Sequence, residues 1–182
     1  YPGWESHSTA PGPKRAEMVA KCVGRIEELK ANGFSTILDP CPNDLGRDVS
    51  LAQEVASRTG FQIIVATGLY KQEEGGVPYW HFRASFGDVT NAMAELFIKE
   101  IEDGVGETGV RAGIIKLATG RGKMTDYERQ IFTAAAKASV ATGAPITTHT
   151  DGGTVGELQQ QLLTELGVPA HRIIIGHSCG TS

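Results

Sequence analysis

Three strand-like segments of the chain each end on a side chain that can bind a metal ion. The segment GIIKLAT carries Lys116, APITTHT carries His149, and RIIIGHSCGT carries His177. Each of these residues follows a run of small and β-branched residues and precedes a polar or glycine-containing turn. In a barrel of alternating strands and helices, such positions lie at the carboxyl-terminal rim, where active sites of that fold are built. We therefore expect the three side chains to converge although they are far apart in sequence.

Each of these residues, taken singly, also has a simpler interpretation. A lysine at a strand end is more often a solvated charge or, in barrels, a Schiff-base nucleophile, and Lys116 on its own does not separate these roles. A single histidine is more often a hydrogen-bonded structural residue than a ligand. The placement of His149 and His177 after consecutive strands, downstream of Lys116, favours metal binding. His171 precedes its strand, at the rim where stability is expected, and Cys179 is expected to be a small buried packing residue.

Hydrophobic periodicity predicts five strands that alternate with helices, which favours a parallel sheet with right-handed crossovers. The predicted strands are 34–39, 61–67, 113–117, 145–149 and 172–176, and the predicted helices are 14–31, 47–58, 91–102, 125–141 and 154–166. The stretch 68–87 is predicted to be a long loop. Thr125 and Glu128 have the spacing of a helix capping box.

The chain has 182 residues, whereas a closed eight-unit barrel usually takes about 250. We therefore expect residues 1–182 to form a single barrel domain that is incomplete at both ends and covers about strands 2 to 6.

Composition excludes several classes of protein. A net charge of -4 gives no electrostatic reason to expect a nucleic-acid or membrane partner. Three cysteines without CxxC spacing argue against a disulfide framework or a structural zinc cluster. No apolar run approaches the roughly 20 residues of a membrane span, and the first residues lack the features of a signal peptide. We expect a cytoplasmic protein.

Several motifs together resemble the phosphotriesterase family of the amidohydrolase superfamily, including its lactonase-type members. They are GRDVSLAQEVA, IIVATGLY, FIKEIEDGVGETGVRAGIIKLAT, ATGAPITTHT and IIIGHSCGTS, in the order of the family's second to sixth strands. The resemblance implies a (β/α)8 TIM barrel with two divalent metals, bridged by a carbamylated lysine and a hydroxide that attacks the carbonyl or phosphoryl centre. Lys116 matches the bridging lysine, and His149 and His177 match the metal histidines of the fifth and sixth strands. The family's HxH pair and its catalytic aspartate belong to strands that this sequence does not contain.

The residue types suit that chemistry. Burial near metals favours the neutral amine of a lysine, which reacts with carbon dioxide to give a carbamate. A carbamate on Lys116 is a two-oxygen ligand that can hold two metals about 3.5 to 4 Å apart. Neutral imidazoles suit zinc, with cobalt or manganese as alternatives.

The substrate prediction rests on the loop that follows the third family strand. Tyr70 matches a position where lactonase-type members carry tyrosine, and its hydroxyl is a candidate to bind a lactone oxygen, although the ring is equally compatible with loop packing. Val77, Tyr79, Trp80 and Phe82 either line an acyl pocket or cover the barrel. We expect a lactonase, acting for example on N-acyl homoserine lactones, with promiscuous phosphotriesterase activity.

Two other functions stay open at this point. An uncarbamylated Lys116 is compatible with a Schiff-base aldolase, and a chain that holds half of a two-metal site is compatible with a non-catalytic binding module. The expected partner is a small-molecule lactone or ester substrate, and the resemblance also allows a homodimer.

Overall fold

The computed structural model describes residues 12–180, along which five strands alternate with helices. The helices are α1 (Gly12–Ala31), α2 (Val49–Thr59), α3 (Val77–Ala84), α4 (Val89–Glu102), α5 (Asp126–Thr142) and α6 (Gly156–Glu165). The strands are β1 (Thr36–Asp39), β2 (Gln62–Gly68), β3 (Ile114–Lys116), β4 (Ile146–Thr147) and β5 (Ile173–Ile174). Short 3₁₀ turns lie at Asp151–Gly153, Ala170–Arg172 and Ser178–Gly180. Each strand and helix predicted from periodicity is present.

The prediction of one long loop over 68–87 is wrong, because α3 forms inside it. A proline lies in the first turn of α3, where its fixed φ and missing N–H suit a helix start. Trp80, which α3 carries, is buried in the main core. The helix is therefore stabilised by packing rather than by a long amphipathic pattern of its own.

The strands form one parallel sheet in the order β1-β2-β3-β4-β5. Lys116 lies opposite Gly68 of β2 and Thr147 of β4. The last two strands are shorter than predicted, since only two residues of each have strand geometry. Because all five strands run in the same direction, their carboxyl ends meet along a single rim.

The main hydrophobic core lies between the sheet and the helices α4 and α5. Ile115 and Leu117 are fully buried in it, beside Phe97 and Phe132 from the two helices. Successive side chains of an extended segment point to opposite faces. Lys116 therefore points away from the helices, to the other face of the sheet.

Local hydrogen bonds fix the ends of the elements that carry the rim. The predicted capping box at Thr125 and Glu128 is confirmed at the start of α5. Below the rim, Arg47 forms a bidentate pair with Glu100 at 2.8 and 2.9 Å and donates to the carbonyl of Ala66. This buried pair ties the segment after β1 to α4 and β2.

Within residues 12–180, none of the helices combines the length and the apolar composition that a membrane crossing requires.

Candidate active site

Lys116 ends β3 as a buried lysine, 7% exposed. Burial lowers the pKa of Lys116 to about 8, because the charged ammonium loses its hydration. Among residues 12–180, no carboxylate forms an ion pair with it. The neutral amine, which is the form that can act as a nucleophile, is thus far more populated near physiological pH than in a lysine with the ordinary pKa.

His149 and His177 contact each other just beyond β4 and β5. Their ring centroids lie 4.6 Å apart, in an edge-to-face arrangement. The hydroxyl of Thr150 donates to the carbonyl of Gly176 at 2.9 Å, which joins the two segments beside the rings. A side chain at position 176 would place its Cβ 2.3 Å from the carbonyl oxygen of Thr148, so glycine permits this close approach.

Backbone pairing brings Lys116 and His149 to neighbouring positions on the rim. The amide of His149 donates to the carbonyl of Leu117 at 2.9 Å, and Thr119 forms a bridge with Thr150. The ends of β3, β4 and β5 therefore present the three predicted residues side by side. Their convergence on one rim is as the sequence predicts, whereas their roles as ligands stay a prediction.

Tyr70 lies beside the same histidine. Its ring centroid is 5.5 Å from that of His149, at an interplanar angle of 49°. The Tyr70 amide donates to the buried carboxylate of Asp44 at 2.9 Å, which fixes the start of the loop. Burial raises the pKa of the Tyr70 phenol, so the hydroxyl stays protonated and can donate a hydrogen bond. In the described part of the chain this hydroxyl has no hydrogen-bond partner, which leaves it available to a substrate.

The aromatic residues of α3 cover the barrel rather than surround a large pocket. Trp80 is buried in the main core, Val77 and Tyr79 pack against that core, and Phe82 is 65% exposed. The cavity between Trp80 and its neighbours holds about 140 Å³. That volume is below the roughly 300 Å³ at which ligand pockets begin. Covering the barrel therefore fits these side chains better than lining an acyl pocket.

Two residues at the rim were not predicted from the sequence. Asp151 lies two positions after His149, with its Oδ1 2.6 Å from the Nε2 of that histidine and its Oδ2 2.8 Å from the Nζ of Lys71. The sequence offered a weak signal, since an acidic residue that follows a rim histidine by two positions stays on the same rim. Lys71 lies 80 residues away, and no local pattern connects it to Asp151.

His171 and Cys179 lie in the 3₁₀ turns on either side of β5. His171 lies in the 3₁₀ turn before β5, at the rim opposite the histidine pair, as predicted. The prediction that Cys179 is buried is wrong, because its side chain is exposed in the last 3₁₀ turn.

The donor set fits a metal site only if Lys116 contributes. No cluster of three or more His, Cys, Asp or Glu side chains with metal-binding geometry occurs within residues 12–180. Two adjacent imidazoles and a buried lysine without an anionic partner supply three donors once that lysine is converted to a carbamate. Nitrogen and carboxylate-like donors of this kind suit zinc, cobalt or manganese.

Comparisons with known proteins agree with this geometry. A family model described as "Phosphotriesterase family" matches residues 7–182. A phosphotriesterase homology protein from Mycobacterium tuberculosis is 40% identical over 168 residues, covering 90% of this chain and 51% of the relative. An aryldialkylphosphatase from Saccharolobus solfataricus is 32% identical over 162 residues, covering 88% of this chain and 50% of the relative. The chain thus spans about half the length of the curated relatives it matches.

Solved structures confirm the predicted (β/α)8 barrel class. A variant of organophosphorus hydrolase from Deinococcus radiodurans superposes with a TM-score of 0.91 at 43% identity, covering 100% of this chain and 55% of that one. A mutant PTE-like lactonase from the same organism gives a TM-score of 0.90 at 41% identity, covering 97% and 55% of the two chains. The five parallel strands and their helices form the corresponding half of such a barrel.

Proposed function

This chain belongs to the phosphotriesterase family, as its motifs predict, and from that premise we propose that it is part of a binuclear metal-dependent hydrolase that prefers lactones to phosphotriesters. The preference draws on the lactonase among the solved structures and on Tyr70 beside the metal-site histidine. A phospho-furanose lactonase from Mycoplasmopsis synoviae, 29% identical over 170 residues, also supports a lactone substrate.

The observation that carries the proposal is the cluster of Lys116, His149 and His177 at three adjacent strand ends. A buried lysine that has no ion-pair partner within residues 12–180, and a histidine pair with ring centroids 4.6 Å apart, are hard to explain by stability alone. Burial of an amine without a partner lowers the free energy of unfolding, so a favourable interaction must offset that cost. In this proposal, the free energy of metal binding offsets it.

Lys116 and the two histidines would have separate roles in the site. The neutral amine of Lys116 forms an N–C bond to carbon dioxide and loses one proton to water, which gives a carbamate with a single negative charge. His149 and His177 would then complete one side of the metal pair. When bound, two divalent ions polarise a carbonyl or phosphoryl oxygen and lower the pKa of water. The HxH pair and the aspartate of the family pattern have no counterpart in this sequence, so the proton acceptor is assigned to no residue of this chain.

Tyr70 would orient the substrate. Its protonated phenol can donate a hydrogen bond to the ring or carbonyl oxygen of a lactone, and Asp44 holds the backbone from which it projects. A fixed donor of this kind stabilises charge that develops on oxygen without reorganisation of the site. Tyr70→Phe should therefore lower the lactone rate while metal content stays unchanged. An unchanged rate would remove the hydroxyl from the mechanism.

The decisive experiment measures metal content, carbamate and turnover on the same preparation. For the complete protein of which we propose this chain is a part, we expect two equivalents of divalent metal, a carbamate carbon resonance after incubation with ¹³C-bicarbonate, and lactone hydrolysis that a chelator abolishes and added zinc restores. Lys116→Ala should lose the resonance and more than about 100-fold in rate. Lys99→Ala, which removes an exposed lysine from α4, serves as the control and should change neither.

A Schiff-base aldolase is the second candidate, because the pKa of Lys116, lowered to about 8, also suits an amine nucleophile. Borohydride trapping with a carbonyl substrate would then modify Lys116, and a chelator would leave the activity intact. A folded protein that binds no metal and shows neither activity would instead support a non-catalytic binding module. Either result would overturn the hydrolase proposal.

A further inference from the structure

A continuous chain of polar contacts runs from the loop after β2 to the imidazole of His149. Lys71 donates from Nζ to Oδ2 of Asp151 at 2.8 Å, and the other carboxylate oxygen lies 2.6 Å from Nε2 of His149. A second carboxylate, that of Glu74, lies 3.2 Å from the same Nζ. The side chain of Lys71 is only 9% exposed, and those of Asp151 and His149 are about one-fifth exposed. Solvent therefore competes with these polar contacts less than with an ordinary surface ion pair.

Each contact fixes the proton position of the next. The ammonium of Lys71 can only donate, so the carboxylate of Asp151 accepts from it through Oδ2 and is left to accept through Oδ1 as well. Since Oδ1 can only accept, the proton of a neutral His149 must lie on Nε2. The other ring nitrogen, Nδ1, then carries a lone pair. A neutral imidazole binds metal through the nitrogen without the proton.

Two aromatic rings also contact the imidazole of His149. Tyr70 packs against it at a centroid distance of 5.5 Å, and His177 contacts it at 4.6 Å. These contacts limit tilting of the imidazole but leave the identity of the donor nitrogen open. Asp151 therefore adds the one constraint that packing cannot provide, the choice of tautomer.

We propose that Asp151 and Lys71 are positioning residues for His149: together they hold its imidazole as the Nε2–H tautomer and present Nδ1 as the metal donor. The inference rests on the proposed function only in taking His149 as a metal ligand. It adds a coupling between two loops, because Lys71 directly follows Tyr70. The segment that would orient the substrate therefore also fixes a ligand of the metal site.

Asp151→Asn tests the tautomer directly, because the ammonium of Lys71 requires an oxygen acceptor. In Asp151→Asn the single amide oxygen should turn to Lys71, which leaves the NH₂ group to donate to Nε2 of His149. That contact places the ring proton on Nδ1. We thus expect the substitution to reverse the tautomer in metal-free protein, and Asp151→Asn combined with Lys71→Met to restore Nε2–H because the amide can turn back.

Long-range ¹H–¹⁵N spectra of the metal-free, ¹⁵N-histidine-labelled protein report the tautomer directly, with His149 assigned by its loss in His149→Gln. Asp103→Asn is the matched control, since Asp103 pairs with Lys99 at 3.6 Å at the exposed carboxyl end of α4 and should leave the signals of His149 unchanged. A folded Asp151→Asn protein that keeps Nε2–H would overturn the proposal. So would a wild-type protein that shows Nδ1–H, an outcome that does not depend on any variant folding.

Zinc affinity, measured by competition with a chromophoric chelator, is the second measurement that tests the positioning role. Loss of a carboxylate that orients a ligand histidine typically lowers metal affinity by about 10- to 100-fold. We expect a loss of that size in Asp151→Asn and recovery of most of it in the double variant. A wild-type protein that holds the Nε2–H tautomer but binds no metal would contradict the proposed function alone. A wild-type protein that binds zinc but shows the opposite tautomer in its metal-free form would contradict the positioning role alone.

Discussion

Gly68 provides the most direct test of how the rim is built. It ends β2 opposite Lys116, with a φ of +122° that side-chain-bearing residues rarely adopt. An added Cβ would lie 2.0 Å from the carbonyl oxygen of Lys116 and 2.9 Å from its amide nitrogen. Ordinary contacts begin near 3.5 Å, so the backbones of β2 and β3 would have to separate by about 1.5 Å.

The size of the effect follows from two contributions. Forcing extra atoms into a packed site costs about 1–3 kcal/mol, and a non-glycine residue in a disfavoured backbone region costs a further 1–3 kcal/mol or so. Gly68→Ala should therefore lower the free energy of unfolding by about 2–6 kcal/mol. Since the obstacle is the backbone of Lys116 itself, metal content should fall as well.

Gly60→Ala is the matched control for urea-induced unfolding. Gly60 caps α2 with a φ of +64°, and a Cβ added there would meet no atom within 4 Å, so the substitution tests the backbone contribution without the clash. We expect a loss of about 1–2 kcal/mol there. If Gly68→Ala destabilises the protein no more than Gly60→Ala does, the close approach of β2 to β3 is not what requires glycine.

Three further predictions concern the rest of the chain. Glu100→Gln should destabilise the protein by about 3–5 kcal/mol in urea, because it removes the charge that pairs with Arg47 in a buried, bidentate contact; a loss below about 1 kcal/mol would contradict this. Thr125→Ala should cost about 1 kcal/mol in the same assay through loss of the α5 cap, and an unchanged midpoint would refute it. Burial and the nearby Asp39 raise the pKa of Cys41 to about 11, so its thiol is protonated at pH 8. Iodoacetamide should then modify exposed Cys179 first, with the rate at Cys41 rising about tenfold per pH unit up to pH 10; equal rates at pH 8, by peptide mass spectrometry, would disprove it.

The sequence predicted the order of the elements and the rim positions because both depend on local patterns. Runs of β-branched residues marked the strands, and Lys116, His149 and His177 each followed such a run. Parallel strands bring their carboxyl ends to one rim, so three local observations were sufficient to predict one cluster. The capping box at Thr125 was equally local.

The features that were missed depend on tertiary contacts. Helix α3 is short, and burial of Trp80 stabilises it more than its own pattern does, so periodicity gave no clear signal. Lys71 and Asp151 meet only after three strands have been laid side by side, and no spacing rule links residues so far apart.

Glycine explains why the rim can be this compact. Gly68 and Gly176 lie on either side of the Lys116 and His149 strands, and at each position a Cβ would come within about 2 Å of a neighbouring carbonyl oxygen, at 2.0 and 2.3 Å. The approach of β2 to β3 and of the β5 end to β4 is therefore set by backbone against backbone. In the proposal above, the side-chain contact of Asp151 with His149 then selects a tautomer within this backbone arrangement. It follows that substitutions at the two glycines should displace the proposed ligands themselves, whereas substitutions at Asp151 or Lys71 should change the donor properties of His149 while it stays in place.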